Sequence, residues 1–412
     1  MGTNLQGPSN HRVGGPGIDA DSPLLGKEPV LSSPSESARA EIDLGAVGHN
    51  VRELKRVTRP GAAFMAVVKA DAYGHGAVEV AQTALAHGAD RLGVARIAEA
   101  VQLREAGLDI PILIFGYTPP ERASELIRWN LTQTVYRRDT AEMLSEQAVA
   151  VGKRLPVHLK IDTGMGRLGM LSFSADENST AVVESIEPIC RLPGLAVEGI
   201  FTHFAASDSA DKSYSRLQFE RFMNLLDRLR SRSIEFQVRH CANSAGIIDL
   251  PETHLDLVRG GIAMYGLPPS DEVNLRGITL LPAMALKSRI IHLKSVPAGF
   301  KVSYGMTYET PAPTSVATVS IGYADGLNRL LSSRGHMLVR GRRAAIVGRV
   351  CMDLTMLDVG HIPETRVGDE VVIFGRQGKE MIHVDEIAAL LNTINYEVVS
   401  TITRRVDRIY YS

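Results

Sequence analysis

The feature that most constrains the fold is an alternation. Between about residues 40 and 260, short apolar runs and amphipathic helical patterns follow one another roughly eight times. The strand-like runs cover residues 64–68, 91–95, 110–115, 133–135, 157–161, 197–202, 236–240 and 255–258. Helical spacing covers residues 44–57, 77–86, 97–106, 140–151, 181–189 and 214–229. Parallel neighbours in a sheet need crossover connections, and helices supply them. Roughly eight such units in series match the arithmetic of a (β/α)8 barrel of the TIM type. A doubly wound sheet is the architectural rival.

After about Leu267 the texture changes. Residues 283–296, 315–321, 336–339, 344–347, 355–359 and 370–374 read as strands punctuated by Gly and Pro, with one helical pattern at 384–391. This predicts a mostly antiparallel β-domain. Residues 1–38, rich in Gly, Pro, Ser and Asn, have little apolar surface to offset the entropy of ordering and read as a disordered extension. The expected division is therefore 1–38, a barrel over 39–275 and a β-domain over 276–412, with the strand near 40–43 assigned as packing against the latter.

Composition removes several classes of function. Of 412 residues, 44% are apolar and 22% charged, the profile of a soluble globular chain. A net charge of −1 argues against a nucleic-acid partner, and the densest basic patch, Arg340 to Arg343, is short enough to be a solvated turn. No apolar run is long enough to span a membrane, and no signal-peptide pattern opens the chain. Cys190, Cys241 and Cys351 are widely spaced and odd in number, which excludes a disulfide framework or zinc spacing and fits a reducing cytoplasm.

In a barrel, functional groups collect at the C-terminal ends of the strands. Lys69 closes the first apolar run, Asp162 and Arg167 follow the fifth, and His203 closes the sixth. His240, Asn243 and Ser244 follow the seventh and Arg259 closes the eighth. Any one of these is more often structural than catalytic; their shared end of the barrel reverses that expectation. Gly164-Met165-Gly166-Arg167-Leu168-Gly169 matches the dinucleotide fingerprint GxGxxG, but no helical pattern opens on its glycines. A flexible loop that lets Arg167 swing into the barrel mouth explains it better. Asn243-Ser244-Ala245-Gly246 and Gly260-Gly261-Ile262 suggest an anion cradle in the loops after the last two strands, where barrels often hold phosphate. A phosphorylated ligand opposite a strand-end lysine points to pyridoxal phosphate, whose aldehyde condenses with an amine.

The segments 68–76 (Val-Lys-Ala-Asp-Ala-Tyr-Gly-His-Gly), 162–169, 202–204, 243–244, 259–262, 303–305, 322–326 and 351–353 together resemble alanine racemase, collinearly from about residue 40 to the C-terminus. The resemblance implies pyridoxal 5'-phosphate as cofactor and a head-to-tail homodimer with shared active sites. Lys69 would bind the cofactor and serve as one base; Tyr304 would serve as the second, in the site of the partner subunit. Tyr73, Ser244, Tyr396 and the backbone of Gly261 and Ile262 would hold the phosphate, with Asn243 beside them. Arg259 would face the pyridine nitrogen, and His203, linked to Arg259, would tune Tyr304. Arg167 and the backbone of Met352 would bind the substrate carboxylate. Lys160 matches a position that is often carbamylated in the family. Tyr323 and Asp353 would line an entrance channel, while Tyr323 and Tyr308 could equally pack in the β-domain and Asp353 restrain its loop. His75 and His87 read as surface or turn residues. The implied activity interconverts L- and D-alanine, with D-alanine serving cell-wall peptidoglycan synthesis. A broader amino-acid or serine racemase and a non-catalytic pyridoxal-phosphate carrier are the rival readings, and the complete β-domain bearing Tyr304 disfavours the carrier.

Overall fold

The computed structural model describes residues 38–173 and 177–412. The expected N-terminal extension lies outside the described residues, apart from Ala38. The first element is strand β1 (Arg39–Asp43), and Asp43 then caps the helix Leu44–Val57 by accepting from the Ala46 N–H at 2.8 Å. That helix buries Val47, Val51 and Leu54, the spacing of one helical face. Its buried Asn50 ties it to the segment leaving the barrel, donating to the carbonyls of Met264 and Leu281.

The barrel strands are β2 (Ala63–Val67), β3 (Arg91–Val94), β4 (Ile112–Ile114), β5 (Thr132–Val135), β6 (Leu155–Asp162), β7 (Leu195–Phe201), β8 (Val238–His240) and β9 (Leu257–Gly260). From β2 to β8 each pairs in parallel with the next, and β9 pairs in parallel with β2. Backbone bonds from Asp256 N to Arg239 O and from Arg259 N to Ala242 O link β8 to β9, so the ring is nearly closed. Strand order follows chain order throughout, whereas a doubly wound sheet reverses at a switch point. Helices cover the outside, which is why these strands read as continuous apolar runs.

The second sheet contains β10 (Met284–Val296), β11 (Thr314–Val319), β12 (His336–Val339), β13 (Arg342–Ile346), β14 (Thr355–Asp358), β15 (Glu370–Gln377), β16 (Glu380–Ile382) and β17 (Asp407–Tyr411). Their order is β16-β15-β12-β13-β14-β11-β10-β1-β17, and β15 also pairs with β10. All neighbours are antiparallel except β1 and β17. The first strand of the described chain thus lies between two strands from its far end. The basic patch forms the β12–β13 hairpin, with Arg340 and Gly341 both at positive φ as a two-residue turn requires. Arg340 pairs with Glu364 and Asp369, and Arg343 with Glu386, so much of the patch is neutralised by acidic partners.

Two expectations need correction. The first barrel strand ends at Val67, and Lys69 lies beyond it in a separate turn. A second helix, Asn395–Ser400, joins Val384–Leu391 in the C-terminal region. At six residues it is too short to show a helical period, and it brings Tyr396 to the barrel mouth.

Candidate active site

Strand β2 delivers the chain to the barrel mouth, and there the backbone does something unusual. Ala70, Asp71, Ala72 and Tyr73 all adopt left-handed conformations with φ of 53°. For residues with a Cβ this costs roughly 1–2 kcal/mol each, so the surroundings must hold the turn. They do so with the Glu99 carboxylate accepting from Ala70 N at 2.7 Å and the Asp71 carboxylate accepting from Ala77 N at 2.9 Å. The turn places Lys69 in the wall of a cavity of about 300 Å³. Burial, and then the nearby Arg167, lower the Lys69 pKa; Glu99 opposes them.

Arg259, on β9, forms the cavity floor and is almost fully buried. Its guanidinium donates to His240 Nδ1 at 2.8 Å, His203 Nδ1 at 3.0 Å, and the carbonyls of Thr202 and Cys241 at 3.1 and 2.9 Å. Both histidines accept on Nδ1, so both are neutral with a proton on Nε2. His240 Nε2 lies 2.9 Å from His158 Nδ1 and donates to it. Burial, with Arg259 next, holds His203 and His240 well below the ordinary histidine value. Burial also draws Arg259 down to about 10, leaving it charged at neutral pH.

The loops after β8 and β9 build the other wall. Asn243 caps the helix Ser244–Asp249, accepting from Gly246 N at 3.0 Å and from the Ser207 hydroxyl at 2.9 Å. The Ser244 hydroxyl accepts from Gly261 N at 2.9 Å. A Cβ on Gly261 would lie 3.1 Å from the Tyr73 hydroxyl and 3.5 Å from Ser244 Oγ, so glycine keeps this concave corner open. Ile262 and Tyr396 complete it.

The fifth βα loop confirms that GxGxxG is no nucleotide fingerprint here. Among the described residues no helix opens on its glycines; the Asp162 carboxylate instead accepts from the N–H groups of Gly164, Met165 and Gly166 at 2.8–3.1 Å. The folded loop sets Arg167 in the cavity wall. Lys160, on β6, is nearly buried with its Nζ 4.7 Å above the Phe201 ring. Burial first, then Arg259 and Arg167, bring its pKa down to about 7.

Lys69, Tyr73, Lys160, Arg167, His203, Asn243, Ser244, Arg259, Gly261, Ile262 and Tyr396 therefore line one cavity, and no carboxylate side chain lines it among the described residues. Tyr304, Met352, Tyr323 and Asp353 do not line it. Tyr304 is 71% exposed on the β-domain, beside a separate groove that includes Ser303 and Cys351. Ser303 adopts φ 66° and ψ −176°, a conformation almost reserved for glycine, and its hydroxyl donates to Arg349 O at 2.7 Å. Asp353 is held by Arg405 at 2.7 Å, while Tyr308 packs on a small cluster with Val296 and Val316. His75 lies in a turn, one of its two expected settings, but it is fully buried rather than at the surface. The Tyr265 ring, from a distant part of the chain, packs on it at 4.5 Å. His87 is half-buried at the end of the helix Ala77–Ala86.

Phe115, Phe201 and Val67 also line the cavity. They read as strand residues in the sequence, and only the barrel's curvature shows which of them face inward. His158 and Glu99 carry no signal of their own, since their partners are distant in the chain.

Residues 42–269 match the family model described as "Alanine racemase, N-terminal domain", and residues 283–410 match "Alanine racemase, C-terminal domain". An alanine racemase of Desulfosudis oleivorans is 57% identical over 376 residues, covering 91% of this chain and 96% of that protein. One of Desulforamulus reducens is 54% identical over 371 residues, covering 90% and 98%. The solved alanine racemase of Clostridium difficile superposes with a TM-score of 0.85 at 40% identity, covering 92% of this chain and 97% of that one. The Bacillus anthracis alanine racemase solved with bound L-Ala-P gives 0.85 at 36% identity, covering 92% and 96%.

Proposed function

This chain belongs to the alanine racemase family and is an isomerase; we propose that it interconverts L- and D-alanine with pyridoxal 5'-phosphate, using Lys69 and the partner subunit's Tyr304 as bases. The observation that carries this reading is a cationic cavity with a lysine of lowered pKa at one wall and an open anion cradle at the other. The residues fit the cofactor. Ser244, Tyr73, Tyr396 and the Gly261 and Ile262 backbone would hold its phosphate, with Asn243 shaping the loop. Arg259 would donate to the pyridine nitrogen. When bound, the cofactor supplies an aldehyde for the amine and an electron-withdrawing ring that acidifies the substrate's α-C–H.

The chain's own groups then manage one proton on each face of the α-carbon. Lys69, half-buried and beside Arg167, has a larger free-base fraction than an ordinary lysine and so takes or returns the proton on one face. Racemisation needs a second base on the opposite face. Tyr304 does not line the Lys69 cavity of its own chain, and its exposure on the β-domain supports a head-to-tail homodimer in which it enters the neighbouring site. His203, neutral and fixed by Arg259, would donate from Nε2 toward that phenol. Arg167 and the Met352 backbone of the partner subunit would grip the substrate carboxylate, and Tyr323 and Asp353 would shape the entrance.

Lys160, with its pKa drawn down to about 7 and so partly free amine at neutral pH, is flanked by Arg167 and Arg259 and suits carbamylation: the amine adds to CO2, losing one proton and becoming an anion between two cations. No helix among the described residues is long and apolar enough to cross a membrane, and the three cysteines are unpaired; we place the protein in the cytoplasm. Incubation with L-alanine in deuterium oxide should give α-deuterated D-alanine in the wild type, and none with Lys69→Ala. Absence of exchange in the wild type would sink the proposal.

A further inference from the structure

His75 takes no part in the proton transfers above, yet it is fully buried beneath the turn that presents Lys69 and Tyr73. Its Nδ1 lies 3.1 Å from the carbonyl oxygens of both Ala72 and Tyr73. Both are acceptors, so Nδ1 carries the proton and donates to the last two peptide units of the left-handed run. Burial brings the His75 pKa down to about 4, which keeps the ring neutral at physiological pH. The opposite nitrogen, Nε2, is buried with no partner. An unpartnered buried nitrogen is unfavourable, and an apolar side chain would avoid it. The donation from Nδ1 is what accounts for a histidine here.

The rest of the packing makes the ring a fixed post. It sits 4.5 Å from the Tyr265 ring, and Tyr265 donates its hydroxyl to Val67 O at 2.8 Å, at the end of β2. Tyr265 also contacts the Tyr73 ring at 4.9 Å. From the other side, Arg408 donates to Gly74 O at 3.1 Å. Gly74 and Gly76, both at positive φ, admit Val399 O and the Tyr410 hydroxyl so closely that a Cβ would lie 2.3 and 1.8 Å from them. The turn is thus gripped between the barrel and the C-terminal segment.

We propose that His75 is a positioning residue: by clasping the Ala72 and Tyr73 carbonyls it holds the left-handed turn that brings the Lys69 amine and the Tyr73 hydroxyl into the cavity together. The part concerning the ligand rests on the reading of the cavity as a pyridoxal-phosphate site.

Three variants of the full chain test it. In His75→Asn the amide nitrogen is bonded to Cγ, as Nδ1 is, and can donate in its place; in His75→Gln the nitrogen lies one bond further out; His75→Ala removes the donor. Two readouts are used, hydrogen exchange of the Gly74 and Gly76 amides in the unloaded protein and the affinity for pyridoxal phosphate by absorbance titration. His75→Ala and His75→Gln should exchange those amides about tenfold faster and bind about tenfold more weakly, the size of one buried neutral hydrogen bond. His75→Asn should stay near wild type in both, and the amides of Val258 and Arg259 should be unaffected in all three. Wild-type exchange at Gly74 and Gly76 in His75→Ala, or an Asn variant as impaired as the Gln variant, would overturn the proposal. Should His75→Ala fail to fold, the Asn–Gln contrast decides. If the wild type itself takes up no pyridoxal phosphate, the cofactor reading fails and the exchange contrast alone judges the positioning role.

Discussion

Arg259 and His240 meet inside the barrel at 2.8 Å, guanidinium donor to imidazole Nδ1, and this contact leaves His240 neutral with its proton on Nε2. Replacing Arg259 with Ala leaves two imidazole acceptors and two carbonyls unmatched in a buried site. The expected cost is about 3–5 kcal/mol of stability, read from the urea midpoint; on the proposed reading, in which Arg259 faces the cofactor's ring nitrogen, racemase activity should also fall at least about a hundredfold. A variant as stable and active as wild type would show that the network is dispensable.

Lys160 should give the protein a dependence on dissolved CO2. With 13C-labelled bicarbonate, a carbamate carbon signal should appear in the wild type and be missing in Lys160→Met. In CO2-free buffer the unmodified amine has a definite pH signature. The unfolded chain keeps the proton up to the ordinary value of 10.5, whereas the fold sheds it above about 7. Between those limits the unfolded state binds more protons, so stability should rise with pH through that window. Lys160→Met should flatten that contribution.

If each site takes Lys69 from one subunit and Tyr304 from the other, two dead variants can rescue each other. Lys69→Ala and Tyr304→Phe homodimers should each lack racemisation. Mixed and allowed to exchange subunits, they should recover about a quarter of wild-type activity, since half of randomly reassorted dimers carry one intact site. No recovery after proven subunit exchange would place both residues in a single chain's site.

Ser303 holds a backbone conformation that favours glycine while its hydroxyl anchors the loop to Arg349 O. Ser303→Ala keeps the strain and loses the anchor, and should cost about 1 kcal/mol together with a drop in kcat from a loosened Tyr304. Ser303→Gly trades the lost anchor against relieved strain of roughly 1–3 kcal/mol, so its thermal midpoint should be at or above that of wild type. Differential scanning calorimetry on the three proteins checks the order.

Much of this molecule was legible in the chain because its signals are local. The eight apolar runs mark barrel strands, with ends displaced by a few residues, since propensity does not say where a strand stops pairing. Of the residues chosen at strand ends, Lys69, Arg167, His203, Asn243, Ser244 and Arg259 line one cavity because parallel strands in a barrel point their C-terminal ends the same way, while Asp162 folds its loop and His240 holds Arg259. Tyr396 came only through the resemblance, since its helix is too short to announce itself. His75 sits in a turn as its glycine neighbours suggest, but its burial was not legible, because burial is set by what packs over a residue, and Tyr265 and the C-terminal segment around Val399 and Arg408 are far away in sequence.

The sequence by itself determined the alternation of strand and helix, the turn to an antiparallel domain, and the chemical types available at the barrel mouth, because these follow from period, punctuation and side-chain identity. Only the tertiary structure decided that Lys69 leaves its strand and rides on a left-handed turn, that Arg259 keeps two histidines neutral, and that Tyr304 stands exposed outside the Lys69 cavity of its own chain. Each of those depends on contacts between residues far apart in the chain, where desolvation and hydrogen bonding override what local preference would choose.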